Sequence, residues 1–400
     1  MTDRQPVTDW AADFDHMDAQ WVDDPFPIWD DLRQRCPVAH TSRYGGVHLP
    51  TRMADVRDAA YDTQTFSNRR PVVRANLPNV ALPTPPISSD PPHHKPSRML
   101  LLPAFTPQAI APYIPVTRRI CNELLDDIGN AASCDAARQF AQHVPVRVIA
   151  SMLGVPETDG DLFRQWIHVM LDDTVRDSPD SADKFVAASR EMDAYFRTHV
   201  EKRTTHDGPD LISFMMRARF DGRELTERHF YGTLRLLLIA GIDTTWSAIG
   251  SSLWHLARTP ADRRRLLAEP ELIPTAVEEF LRAFAPVTMA RQARQDGTIA
   301  GCPVKAGEMV LLAFPAANRD PAVFPDADKV IIDRKDNRHA AFGLGIHRCA
   351  GSNLARMEIQ VALEEWLKRI PEFTLDETQP VNWSAGQVRG PRTVPLRIGG

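Results

Sequence analysis

Cysteine is scarce in this chain of 400 residues: only Cys36, Cys121, Cys134, Cys302 and Cys349 occur. The number is odd, the spacing is wide, and no pair has the interval of a zinc site. A disulfide scaffold and a cysteine zinc centre are therefore not expected. Strong charge of one sign is also missing. A net charge of −5 is too mild to point to nucleic acid or to an acidic membrane surface. No repeat of fixed period and no low-complexity tract is present. The N-terminus, MTDRQPVTDWAADFDHMD, lacks the basic start and apolar core of a signal peptide and carries no membrane anchor, which predicts a cytoplasmic protein.

Two further absences concern the stretch FGLGIHRCAGSNLA, residues 342–355. A dinucleotide loop needs G-x-G-x-x-G; Gly343 and Gly345 supply two positions, but the third falls on Arg348. Covalent c-type haem attachment needs C-x-x-C-H, and no second cysteine stands near Cys349. What remains is one thiol with pliable backbone before it and a helix after it.

The length alone predicts two or three domains. Most of the chain reads as helix: residues 116–128, 136–153, 182–202 and 355–368 show apolar spacing of three and four. Strand signals are short, at 45–51 and at 309–314 after KAGE. The proline-rich residues 72–89 read as a surface loop. The expectation is a helix-rich fold with a minor β part.

One helix stands apart, from about Thr226, a candidate cap, to Leu256, with Pro260 ending it. At 1.5 Å per residue it spans about 45 Å, enough to cross a whole domain. Arg235 and Asp243 interrupt its apolar run, which favours a buried central helix over a membrane span. Its middle reads AGIDTT, residues 240–245. Gly241 weakens the helix and lets something approach its backbone. Thr244 can bond a preceding carbonyl and bend the helix. Asp243 in apolar surroundings needs partners or a function; an ordinary buried acid at a bend is the alternative.

A cysteine at a helix start has its thiolate favoured by the helix dipole and by free N–H groups. Glycines around it let the backbone fold about the sulfur and let a flat ligand lie close, and Phe342 can shield it. Such a thiolate is a good axial ligand for haem iron. A buried cysteine beside a tight turn would explain Cys349, but not Gly343, Gly345, His347 and Gly351 together.

Phe342, Gly343, Gly345, His347, Cys349 and Gly351 resemble the haem-binding signature of the cytochrome P450 family. AGIDTT resembles that family's oxygen-activation stretch, and Glu279-Phe280-Leu281-Arg282 its E-x-x-R motif. The segments 90–107, 317–328 and 333–343 are similar to bacterial members, so the resemblance covers nearly the whole chain. It replaces the two- or three-domain expectation with a single domain, 1–400, mainly α, with a long central helix and a small β region, and without a fused reductase or ferredoxin domain.

The resemblance implies haem b with Cys349 as metal ligand. It implies propionate partners at His94, Arg98, Arg291 and His347, with Pro96 able to shift the helix start near His94. It sets Ala240, Gly241, Phe342, Gly343 and Gly351 beside the cofactor. Glu279 and Arg282, three apart on one helix face, would join Arg334. Asp243 and Thr244 would be the acid and alcohol of a proton relay. The implied activity is insertion of one atom of O2 into a hydrophobic substrate, the other leaving as water. Electrons would come from a ferredoxin and its NADH- or NADPH-dependent reductase, with Arg338 and Arg348 able to meet an acidic partner. Leu237, Ala240, Val287, Met289 and Val388 would line an apolar substrate pocket in a monomer. A peroxide-driven peroxygenase and a non-catalytic haem-thiolate gas-binding protein are the alternatives; the relay residues weigh against both.

Overall fold

The computed structural model describes residues 5–73, 83–173, 180–203, 208–220 and 222–399. Helix dominates, and β structure is confined to small sheets. The strands of the largest sheet are β1 (Val38–Thr41), β2 (Val47–Pro50), β3 (Phe66–Ser67), β4 (Met289–Ala293) and β5 (Met309–Leu312), in spatial order β1-β2-β5-β4-β3. Only β2 and β5 run parallel. The predicted strands at 45–51 and 309–314 are thus shorter than read. Gly46 already has φ +95°, and the chain turns into a short helix at Phe314. A second sheet joins Phe373–Leu375, Pro395–Ile398 and Ser133–Asp135.

The helices that position the site are α1 (Met53–Tyr61), α2 (His94–Leu101), α3 (Tyr113–Ile128), α4 (His143–Leu153), α5 (Ser181–Glu201), α6 (Glu227–Arg258), α7 (Ile273–Ala283) and α8 (Ser352–Arg369). The reading of 136–153 as one helix is corrected: a π turn over Ala137–Ala141 precedes α4. Pro145, which has no N–H, falls in the first turn of α4, where that donor has no helical partner.

α6 is the axis. Thr226 caps it by accepting the N–H of His229, and it runs unbroken for 32 residues, about 48 Å. The predicted bend at AGIDTT is absent as a break: every residue from 227 to 258 is α-helical. By length and composition this helix could cross a membrane, yet it is mostly buried, packing against α4, α5, α7 and α8. The two charges inside it are both satisfied. Arg235 pairs with Asp193 and donates to Pro83 O at 3.3 Å. Asp243 is treated below.

The surface reading of residues 72–89 is also corrected where it can be. Residues 74–82 lie outside the described residues, but Pro85 and Pro86 are buried. Pro83 O comes so close to α6 that a Cβ on Gly232 would lie 2.3 Å from it. Thr233 Oγ1 donates to Pro85 O at 3.2 Å. Glycine inside a helix is here the condition for a second chain to touch its backbone.

Candidate active site

Cys349 lies in the loop before α8, not at its first residue. The helix begins at Ser352 with Gly351 as its cap, so the macrodipole acts only weakly on it. The loop is shaped by left-handed glycines. Gly343 has φ +71° and Gly345 φ +69°. At Gly345 space also excludes a side chain, since a Cβ would lie 2.7 Å from Ala60 O of α1. A 3-10 turn over Gly345–His347 follows. The Cys349 N–H then donates to Phe342 O at 2.7 Å, closing the loop on itself. Gly351 differs: its φ is −84°, and a Cβ there would make only ordinary contacts with Phe105 and the Cys349 sulfur.

Cys349 is exposed, yet protein packs densely around its sulfur. Burial raises the thiol pKa; the Gly351 N–H, Arg98, Arg348 and Arg356 work in the opposite direction. Burial outweighs these, so the thiol form is favoured here, while the Gly351 N–H and three arginines are the groups that support the thiolate. Phe342 is half-buried, with the Arg356 guanidinium 4.4 Å from its ring centre.

Four basic side chains gather beside this loop. α2 begins at His94 itself, so Pro96 does not shift the helix start past it. The His94 and His347 rings meet edge to face at 4.3 Å. Both pKa values fall through burial and neighbouring cations, that of His347 to about 3. Arg291 on β4 is 3% exposed and donates to Ala290 O. Burial lowers its pKa to about 10, with Asp90 acting weakly the other way. Arg98 is half-buried, and burial lowers its pKa too, partly offset by Cys349. His94 Nε2 is buried with no hydrogen-bond partner. Arg291 is a buried cation that makes no ion pair among the described residues, and such burial is costly, so the group is complementary to an anionic ligand.

On α6, Ala240 is accessible and Gly241 and Thr244 are half-buried, on a helix otherwise mainly enclosed. Thr244 Oγ1 donates to Ala240 O at 2.8 Å, as the sequence predicts. A Cβ on Gly241 would meet only Ile149 at 3.8 Å, so protein packing does not itself require glycine there. Asp243 is fully buried, and both its oxygens accept from Arg392, at 2.6 and 3.0 Å. Arg392 also lies 4.5 Å from the Trp246 ring centre. Sequence reading missed Arg392; a partner 149 residues away leaves no spacing signal.

Glu279, Arg282 and Arg334 form one buried knot. Arg282 Nε and Nη2 each reach a different Glu279 oxygen at 2.8 Å, and Arg334 Nε reaches Oε2 at 2.9 Å. The Ile331 N–H and Asn337 Nδ2 also donate to Glu279, at 2.8 and 3.1 Å. Arg282 spans to Asn318 O, Ala327 O and Lys329 O, which braces the chain leading to the cysteine loop. One residue earlier, Glu278 accepts from Arg356 at 2.5 and 2.9 Å and lies 3.1 Å from His339 Nε2. Burial opposes its ionisation, but these two partners prevail and hold its pKa at about 2. This second network, absent from the sequence reading, fixes the arginine that lies over Phe342.

Of the predicted pocket residues, Leu237 is buried, and Val287 and Val388 pair as an antiparallel bridge. Thr288 N donates to Gln387 O, and Gln387 Nε2 lies 3.1 Å from Met289 Sδ. The structure therefore joins Val287, Met289 and Val388. Two small cavities border Thr288 and Gly386, and neither is lined by any of the five predicted pocket residues or by Cys349.

Comparison with known proteins agrees with this geometry. Residues 146–387 match the family model described as Cytochrome P450. The chain is 37% identical over 383 residues to the mycinamicin IV hydroxylase/epoxidase of Micromonospora griseorubida, covering 92% of this chain and 94% of that one. It is 38% identical to the vitamin D(3) 25-hydroxylase of Pseudonocardia autotrophica, covering 94% of each. Among solved structures, CYP109E1 from Bacillus megaterium in complex with testosterone superposes with a TM-score of 0.86 at 32% identity, covering 94% of this chain and 98% of that one. The chain therefore belongs to the cytochrome P450 family of cysteine-ligated haem b monooxygenases.

Proposed function

We propose that this monooxygenase is a single cytoplasmic domain that works as a monomer, receives electrons from a separate ferredoxin and reductase, and oxidises a hydrophobic molecule of steroid or macrolide size. Haem b fits the residues present. Cys349 would ligate the iron, and His94, Arg98, Arg291 and His347 would take the propionates. Arginine's fork matches carboxylates, and the unpartnered His94 Nε2 calls for such an acceptor. When bound, the cofactor supplies the oxygen activation by which one atom of O2 enters substrate.

The chain's own task is to deliver protons and exclude water. Thr244 stands on the accessible stripe of α6 with its hydroxyl held by Ala240 O. Asp243, one residue away, is the acid, and Arg392 holds its carboxyl group by both oxygens and so fixes its orientation. Gly343, Gly345 and Gly351 leave the backbone around the sulfur free of side chains. Leu237, Ala240, Val287, Met289 and Val388 offer apolar contact. The names of the relatives, a mycinamicin IV hydroxylase/epoxidase and a vitamin D(3) 25-hydroxylase, and the testosterone complex of a solved relative support a large hydrophobic substrate. Arg338 and Arg348 are exposed and supply the positive face for an acidic ferredoxin.

The observation that carries this reading is the Cys349 sulfur beside the buried Arg291 and half-buried Arg98 cations, with His94 Nε2 lacking a hydrogen-bond partner among the described residues. Its test is the reduced carbon monoxide spectrum of the haem-loaded chain. A thiolate-type Soret band is expected, and it should vanish in Cys349→Ala. A band unchanged by that substitution overturns the reading. Steroids, secosteroids and macrolides are then screened for displacement of the iron-bound water. NADH-driven turnover with a ferredoxin system, set against turnover with peroxide alone, separates the monooxygenase from the peroxygenase.

A further inference from the structure

Cross-strand pairing sets His40 of β1 directly opposite His48 of β2, so both side chains leave the same face of the sheet. Their ring centres are 4.7 Å apart. β5 lies beside β2 with Val310 opposite His48, and Glu308, two residues before Val310, faces the same side. One ligand-type atom from each of His40, His48 and Glu308 lies within 4.8 Å of the other two. His48 Nε2 is already 2.9 Å from Glu308 Oε2.

The surroundings hold this trio in place. Glu308 Oε2 also accepts the Lys305 N–H at 2.7 Å. The left-handed turn at Gly46 passes so close that a Cβ there would lie 3.2 Å from Glu308 Oε1. His48 is buried and His40 half-buried. An ion pair between His48 and Glu308 does not need a second imidazole. Burial, then His48, lowers the His40 pKa. Burial disfavours the Glu308 carboxylate, but the Lys305 N–H and His48 outweigh it. At neutral pH the trio therefore offers a neutral His40 imidazole and a Glu308 carboxylate, with the His48 ring between them. These are donors in the state that metal binding requires.

We propose that His40, His48 and Glu308 form a binding site for a divalent transition metal, with zinc as the ion to test first. Two imidazoles and one carboxylate suit zinc better than calcium or magnesium, which prefer oxygen, and water would fill the fourth position. Tetrahedral zinc with ligands at about 2.0–2.1 Å holds them about 3.4 Å from one another. The His48–Glu308 edge is within that reach, and an inward turn of the His40 ring completes the site. The ion would clasp β1 to the turn before β5 across β2, bracing the sheet whose β4 strand carries Arg291. The site shares no residue with the haem site and does not depend on that reading.

The test is calorimetric titration of the haem-loaded full chain, stripped of metal by chelation, with zinc chloride at neutral pH. About one equivalent should bind to the parent. His40→Ala and Glu308→Gln should each weaken that binding about tenfold or more, with magnesium inert throughout. The parent's melting temperature should rise with zinc and the variants' should not. Unchanged Soret and far-ultraviolet dichroism spectra certify that the variants are folded; His40, the less buried histidine, is chosen for that reason. Equal zinc binding by the parent and both folded variants, or no binding by the parent, overturns the proposal and leaves an ordinary histidine–glutamate pair.

Discussion

Arg392 grips Asp243 with both of its terminal nitrogens, at 2.6 and 3.0 Å, from the far end of the chain. The acid of the central helix is thus bound to the last strand region before it is available to anything else. Arg392→Gln should destabilise the folded chain near the low end of the roughly 3–5 kcal/mol typical of a broken buried pair. Asp243→Asn should slow turnover about 100-fold or more, the range for loss of a positioned proton donor. Urea midpoints and steady-state rates check the two effects separately. A variant at Arg392 with parental stability would show the grip to be energetically idle.

Thr244→Ala should leave substrate binding intact and uncouple turnover, so that NADH consumption yields peroxide in place of product. The ratio of product to NADH consumed is the measurement. Equal ratios in parent and variant remove the hydroxyl from the relay.

Glu279→Gln should cost about 3–5 kcal/mol, because two arginines lose a shared buried carboxylate. Purified variant should carry less haem per chain, read as the ratio of Soret to protein absorbance. An exposed pair would change neither quantity. Full occupancy and parental stability would therefore argue against a bracing role for this knot.

Glu278 gives a pH dependence of definite sign. Its pKa in the folded chain, about 2, lies below the ordinary value of 4.5. Its ionised form thus favours folding at any pH above about 4.5, and that contribution fades as pH falls from about 4.5 towards about 2. Glu278→Gln should be less stable than the parent at neutral pH, with the gap narrowing in acid. Chemical denaturation at several pH values reads this gap, and a constant gap would exclude the mechanism.

Gly345→Ala should destabilise by about 1–3 kcal/mol through left-handed strain, and by more through collision with Ala60 O. Gly343→Ala bears the strain alone, since a Cβ there meets Phe314 at 3.6 Å, an ordinary contact. Gly345→Ala should thus lower the melting temperature of the haem-loaded chain further than Gly343→Ala does. The reverse order would mean that backbone close to α1 is not what demands glycine at 345.

The features legible in the sequence are those whose chemistry is local. The loop at Cys349, the stripe through Ala240 and Thr244, and the three-residue interval from Glu279 to Arg282 each declare themselves through spacing along one element. Long-range pairing is silent. Nothing near Asp243 announces Arg392, and nothing near Glu278 announces Arg356, because such contacts are made by folding two distant segments together. Proline misled for a related reason. Residues 83–89 have loop composition, but the carbonyls of Pro83 and Pro85 lie against α6, where Arg235 and Thr233 satisfy them. The cap glycine at 351 and the helix start at Ser352 show the ordinary imprecision of boundaries read from pattern.

The missing side chain at Gly232 has a mechanical corollary. With Pro83 lying on bare helix backbone, and Thr233 and Arg235 bonded to the same short segment, α6 cannot slide along its axis without dragging that segment. Ala240 lies about two turns further on. The rod that carries the reactive stripe is pinned from outside at one station, and its depth in the protein is set there.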